Sequence, residues 1–454
     1  MQRSPCRRHL SRIWTAGIGW LVLTLAFASR GRTAETSAGG TPDRPALAAQ
    51  ILADPDLADV LTKARTLLKS GLNAGSGYGE VWIRDFNTFL ELSLAVNPPA
   101  ELRSALLTFF KFQPANGDIP DGYIPKSKAG AGYRYRSSPL APNLLAHKNT
   151  VETDQESSLV LAVATFVRQT GDRSLLSETV DGSPVLSRLE LALNYVLTER
   201  FEPKFGLIWG ATTADWGDVQ PEHEWGVELD ASSHRACDIY DNALAVCALR
   251  SLEDLLEGPS KAERWKHIRE ALERNIRRHL WDKDRHKFRP HLYLAGSPFP
   301  SGLDEDGIYF HGGTAVALEA GLLSPPEIPR ALADMRANVR AAGAASIGLT
   351  LYPPYPVGTF KNRGMGPYSY QNGGDWCWFG GRMVRQLIRH GMVREAYDEL
   401  KPMVARVRKH GDFYEWWTPD NQPKGSAQFR GSAGVLGAAI LDLQAWAKAN
   451  RPAP

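Results

Sequence analysis

Glu415 sits in the run GDFYEWWTPDNQPKGSAQFRGSAGVLGAA (411–439), with Tyr414, Trp416 and Trp417 around it. A carboxylate among aromatic rings is a poor solvated charge. It is a natural setting for a group that takes a proton from water. A second carboxylate, Asp154 in VETDQESSL (151–159), opens an apolar-periodic stretch. Thr153-x-x-Glu156 reads there as a capping box, which leaves Asp154 in the first helical turn. A carboxylate at a helix start is electrostatically favoured. A proton-donor role for it therefore needs burial or a neighbouring acid to raise its pKa. Glu152 and Glu156 flank it as alternatives. Asp154 as general acid and Glu415 as general base form the expected catalytic pair.

Other runs carry residues that grip and stack on sugars. Thirteen tryptophans is high for this length. Trp82, Trp209, Trp216, Trp225, Trp376, Trp378, Trp416 and Trp417 fall in long connections or where a helix begins. GYGEVWIRDFNTFLEL (77–92) places Trp82, Arg84 and Asp85 where a loop turns into a helix. QPANGDIPDGYIP (113–125) supplies Asp121 and Tyr123, with Asp118 as an equal candidate for a turn residue. TTADWGDVQPEHEWG (212–226) supplies Asp215 and Trp216. HRACDIYDNAL (234–244) supplies Asp238, Tyr240 and Asn242. In YSYQNGGDWCWFGGRM (368–383), Asn372 and Gly373 make a tight turn that lets backbone approach a ligand, and Trp376 follows. The expected substrate contacts are Trp82, Arg84, Asp85, Asp121, Asp215, Trp216, Tyr240, Asn372, Gly373, Trp376 and Trp416. Glu222, His223, Glu224 and His234 lack the helical spacing of a metal site. No metal or other cofactor is expected.

These residues need a frame that brings distant runs together. Apolar positions recur at helical spacing and predict twelve helices, over residues 55–71, 85–96, 99–113, 154–171, 183–200, 237–256, 259–280, 313–322, 325–342, 374–391, 393–410 and 427–449. Short strands are expected near 205–210 and 287–294. The chain mostly turns quickly after an even-numbered helix, through runs such as NPPAE (97–101) and EGPSK (257–261). Before even-numbered helices it wanders, through loops rich in Trp, Tyr, Gly, Asp and Asn. Loops that long are usually functional. Six hairpins closing into a ring would put every long loop on one rim, with the even helices inside. The expected fold is all-α, an (α/α)6 toroid of six helical hairpins over residues 46–450. An open helical solenoid is the rival, but no fixed-period repeat supports it.

Taken in order, WIRDF, NGDIPDGY, ETDQESS, YQNGGDW and FYEWW…G…FRGSAG resemble the six-hairpin glycosidases. The resemblance is to the clan of processing α-glucosidases, mannosylglycerate hydrolases and trehalases, and to the neutral/alkaline invertases. It covers roughly residues 50–450. It implies an inverting glycoside hydrolase with an Asp general acid, aligned with Asp154, and a Glu general base, aligned with Glu415. It matches the invertase RDF motif to Arg84, Asp85 and Phe86. The substrate loops depart from the family, so α-glucosides, α-mannosides and sucrose-like substrates stay open. A polysaccharide lyase using Tyr240, His234 or His311 is a rival reading. A non-catalytic glycan-binding protein is another.

The 454-residue chain opens with Arg3, Arg7, Arg8 and Arg12, then the apolar run 15–28 ending Ala26-Phe27-Ala28. This reads as a signal peptide (1–28), followed by a flexible segment (29–45). Export to the periplasm or the extracellular space is expected. Residues 1–32 carry six arginines and no acid, so their loss takes the formal charge from +3 to −3. Nothing then favours a nucleic-acid partner. No integral membrane segment is expected after signal removal. Cys237, Cys247 and Cys377 read as buried free thiols. The sequence carries no signal for oligomeric state. The expected partner is an oligosaccharide or glycoside substrate.

Overall fold

The computed structural model describes residues 44–130 and 132–451. The expected leader and nearly all of the loose segment lie outside these. Fourteen helices follow in order. They are α1 (Arg44–Ala53), α2 (Pro55–Leu68), α3 (Ile83–Leu94), α4 (Pro99–Phe110), α5 (Gln155–Thr170), α6 (Ser174–Ser177) and α7 (Val185–Glu199). Then come α8 (Ile239–Leu255), α9 (Pro259–His279), α10 (His311–Glu319), α11 (Glu327–Ala342), α12 (Cys377–Arg389), α13 (Val393–His410) and α14 (Arg430–Asn450). Each of the twelve expected helices has a counterpart. The additions are α1 and the single turn α6.

Local chemistry sets many helix ends. Pro55, Pro99 and Pro259 occupy the first turns of α2, α4 and α9, where no backbone N–H is needed. Asp54 and Asp238 accept from Asp56 N (2.9 Å) and Asp241 N (2.8 Å) and cap α2 and α8. Gly171, Gly343 and Gly411 end α5, α11 and α13 in the left-handed conformation. The expected Thr153–Glu156 capping box does not form. Thr153 Oγ1 donates to Trp209 O (2.9 Å), and Glu156 accepts from Lys148 Nζ (2.7 Å). Tertiary partners took both groups.

Packing contacts run in a cycle. α3 packs on α5, α5 on α8, α8 on α10, α10 on α12, α12 on α14, and α14 back on α3. These are the even-numbered helices of the sequence reading. Helices α2, α4, α7, α9, α11 and α13 pack outside them against their neighbours in the chain. α8 is buried on nearly all sides, as an inner helix must be. α14 reaches α3 closely because its interface holds glycine; a Cβ at Gly434 would collide with Phe89.

Long loops precede the inner helices and are pinned by short antiparallel ladders. Val81–Trp82, Gly122–Pro125 and Leu144–His147 form one three-stranded sheet. Its register sets Trp82 opposite Gly122, and Gly122 opposite His147. Tyr414–Trp417 pairs with Pro423–Ala427. A separate apolar cluster, including Phe299, Phe310, Leu351, Tyr355 and Phe360, packs under the loops and holds them in shape. The expected strand regions hold Leu207–Ile208, Lys287–Phe288 and Leu292–Tyr293.

Candidate active site

A cavity of about 160 Å³ opens among the loops that lead into the inner helices. Trp82, Arg84 and Asp85 reach it from the start of α3, and Trp376 and Trp378 from the start of α12. Glu415 comes from its short strand, Phe429 from the N-terminal boundary of α14 and Trp216 from the 212–226 loop. Tyr78, Tyr133, Asp218, Tyr370 and Gln371 complete most of the wall. Three carboxylates, one guanidinium and many rings therefore face one small space.

Glu415 is held from both sides. Tyr78 Oη donates to Oε1 (2.9 Å) and Ser426 N donates to Oε2 (2.8 Å). Its strand is anchored by Asp375, which exchanges backbone bonds of 2.8 Å with Trp417. Asp375 in turn pairs with the buried Arg406 (2.8 Å). Gly425 has φ +69°, and a Cβ there would collide with the Glu415 carboxylate. Burial pushes the Glu415 pKa up; the Ser426 and Tyr78 bonds pull against it, and the negative charge of Asp218 adds to the rise.

Arg84 is the centre of a buried acidic cluster. Its Nη1 lies 2.7 Å from Glu152 Oε2, 3.2 Å from Asp121 Oδ1 and 3.7 Å from Asp154 Oδ1. Burial opposes its charge, but Glu152, Asp121 and Asp154 overcome that and hold it protonated. Asp85, beside it, is pushed up to about 7, first by burial and then by Glu415, Asp121 and Asp154, against the pull of Arg84. Asp85 Oδ1 is buried with no hydrogen-bond partner in the protein.

The structure gathers Trp82, Arg84, Asp85, Trp216, Trp376 and Glu415 around this cavity and sets other expected residues elsewhere. Asp154 is fully buried and does not line the cavity. Its Oδ2 accepts from Tyr240 Oη (2.9 Å), and its Oδ1 lies 3.7 Å from Arg84 Nη1, a residue that does line the cavity. Asp121 and Tyr240 support from behind in the same way. Asp215 turns away: its carboxylate accepts from Gly312 N (2.6 Å) and Gly313 N (2.8 Å) at the start of α10. Asn372 is used up by backbone, bonding Tyr355 N (2.8 Å), Tyr355 O (3.0 Å) and Met365 O (2.9 Å). Gly373 (φ +90°) makes the turn and packs near Pro354 and Tyr368, not against the cavity. Trp416 packs beside Tyr370, outside the wall. Tyr240 and His311 are buried, and His234 pairs with Glu222 (2.6 Å), so the residues a lyase would need stay out of the cavity.

Sequence reading passed over Asp218. It lines the cavity and accepts from Gln371 Nε2 (2.8 Å). It follows Trp216-Gly217, and a Cβ at Gly217 would press on Gln371, so the glycine lets the two loops close on each other. An acid directly after Trp-Gly in a loop was the available signal. Asp215, three residues earlier, drew attention instead.

No protein-family model matches the chain, and no curated protein matches it. Solved structures do. The GH63 mannosylglycerate hydrolase from Thermus thermophilus in complex with glucose aligns with a TM-score of 0.59 at 16% identity, covering 84% of this chain and 99% of its own. Its complex with Tris aligns with a TM-score of 0.62 at 17% identity and the same coverage. A rhamnosidase from Klebsiella oxytoca with rhamnose bound aligns at 0.56 and 12% identity, over 85% of this chain and 63% of that one. At these identities the likeness is one of fold.

Proposed function

We propose that this chain is an exported, inverting glycoside hydrolase built on an (α/α)6 toroid, acting on an α-linked gluco- or manno-configured glycoside. The observation that carries the reading is that Glu415 and Asp218 line one cavity together with aromatic rings and a third carboxylate, Asp85. Glu415 is the general base. Tyr78 and Ser426 orient its oxygens, and burial makes it more basic, which suits deprotonation of an attacking water. Asp218 is the general acid that protonates the leaving glycosidic oxygen. It takes the role first expected of Asp154, because an acid must reach the substrate and Asp154 is fully buried and outside the cavity lining. Inversion requires the two carboxyl groups to stand roughly 6.5–9.5 Å apart. Asp85 and Arg84 grip hydroxyls of the sugar being cleaved, and Trp82, Trp216 and Trp376 pack on its ring. The leader implies the periplasm or the outside of the cell.

A time-resolved NMR assay of the first-formed anomer tests the mechanism, with inversion expected; a retained product sinks the assignment of Glu415. Asp218→Asn should lose activity on alkyl glycosides and regain much of it on a glycosyl fluoride, whose leaving group needs no proton. No recovery on the fluoride, or full activity on the alkyl glycoside, removes Asp218 from the acid role.

A further inference from the structure

The cavity is too small for a whole oligosaccharide. Sites that enclose a complete ligand usually measure roughly 300–1,000 Å³, against about 160 Å³ here. The rest of any longer substrate must lie over the rim. One part of the rim is aromatic and grows more exposed outward: Trp82 is 8% exposed, Tyr133 37% and Trp225 70%. Trp82 and Tyr133 meet edge to face at 6.2 Å. Tyr133 also stacks on His147 at 4.2 Å, and the imidazole is uncharged at neutral pH because burial, then Arg84 and Arg136, push its pKa down to about 4. Trp225 lies next along the strip: a Cβ built on Gly132 would stand 3.6 Å from its ring.

A lone exposed tryptophan needs no explanation, but this one is presented by a braced loop. Thr150 N donates to Val227 O (2.8 Å), Leu229 N to Thr150 Oγ1 (2.7 Å) and Gln220 Nε2 to Glu228 O (2.9 Å). Arg134 and Glu228 pair at 3.2 Å and tie this loop to the one carrying Tyr133. The same loop leaves the cavity at Asp218. A bare ring on a braced loop beside the exit of a sugar cavity is a stacking platform.

Charge restricts what runs over it. The cavity wall carries Asp85, Asp218 and Glu415 against Arg84, whose guanidinium already serves Glu152 and Asp121. Arg134 on the outer strip touches Glu228 at 3.2 Å and stays largely exposed. Inside the cavity an anionic substrate would meet like charge, since Arg84 is already paired with Glu152 and Asp121.

We infer that Tyr133 and Trp225 form an outer subsite for an uncharged oligosaccharide, so that the preferred substrate has three or more neutral sugar units. This rests on the glycosidase reading and names the substrate class of that site. The probes are neutral α-gluco- and α-manno-oligosaccharides of two to five units, with aryl α-glycosides as short references. Adding the third unit should raise kcat/KM about five- to tenfold. Trp225→Ala should abolish that gain, and Trp225→Phe should keep most of it. Oxidising the terminal unit to a carboxylate should lower kcat/KM at low salt. A flat dependence on length, a gain that survives Trp225→Ala, or better turnover of the carboxylate overturns the inference while leaving hydrolysis of the aryl glycosides intact. If no glycoside is hydrolysed, the glycosidase reading fails instead. The subsite is then judged by tryptophan-fluorescence titration with tetrasaccharides: tighter binding by the parent than by Trp225→Ala supports it, and equal binding refutes it.

Discussion

Two charged cavities lie at opposite ends of the inner helices, and they differ in a way that size does not capture. The larger, about 390 Å³, is lined by all six inner helices, with residues including Arg168, Arg250, Arg382, Arg385 and Arg389. Acids answer Arg250, Arg382 and Arg385. Arg385 reaches Glu91 at 2.9 Å and Asp442 at 2.7 Å; Arg250 reaches Ala320 O at 2.7 Å. Cations at helix C-termini also suit the helix dipole, so this end reads as structure. The smaller cavity lies among the N-terminal ends. Carboxylates suit that end too, yet here Asp85 Oδ1, Glu152 Oε1 and Asp154 Oδ1 are buried without hydrogen-bond partners. The lesson is that unsatisfied buried groups, not volume or net charge, separate the candidate site from the packed pole.

Removing one arginine from each end should break the symmetry most strongly. Arg84→Met leaves Glu152, Asp121 and Asp154 as uncompensated buried acids; the expected cost is about 3–5 kcal/mol in urea unfolding, with loss of hydrolysis. Arg385→Met should cost about 1 kcal/mol, since both its partners are partly exposed, and should leave hydrolysis unchanged. Equal losses at the two ends would end the distinction.

Asp85 offers a pH test of the same contrast. Its pKa rises from 3.8 to about 7 on folding. The folded protein therefore keeps a proton that the unfolded chain releases, and stability falls as pH rises from about 4 to about 7, then levels off. Asp85→Asn removes this loss. Thermal melts should show the variant more stable at pH 8, by up to about 4 kcal/mol, and no different near pH 4. KM should rise, because one of the two carboxylate oxygens becomes an NH2 donor and the remaining amide oxygen is a weaker acceptor. A variant no more stable at pH 8 than the parent would contradict the burial argument.

Smaller effects probe how the site is held. Gly434→Ala forces a Cβ into Phe89 at the α14–α3 contact and should cost about 1–3 kcal/mol, measured by denaturant midpoint. Gly425→Ala should lower kcat more than stability, since it disturbs the Glu415 carboxylate and a positive-φ turn at the surface. Activity should also fall at low pH with a midpoint above the ordinary carboxylate range, because Glu415 acts only when ionised and burial raises its pKa. A pH–rate profile checks this; a midpoint at the ordinary value argues against Glu415 as the base.

Helical periodicity was enough to find the twelve expected helices, because it depends on neighbours three and four residues apart, and the unequal connections between them sorted inner from outer. The aromatic setting of Glu415 was equally local: Tyr414, Trp416 and Trp417 adjoin it in the chain. Tertiary structure alone decided which acids face the cavity. Asp215 and Asp218 share one loop, but α10, nearly a hundred residues on, claims the first, and Gln371 aims the second. Asp154 begins α5 as the sequence implied, and Tyr240 and Arg84 from other helices close it in. A carboxylate's direction is set by the donors that meet it, and those donors arrive only when the ring of helices has packed.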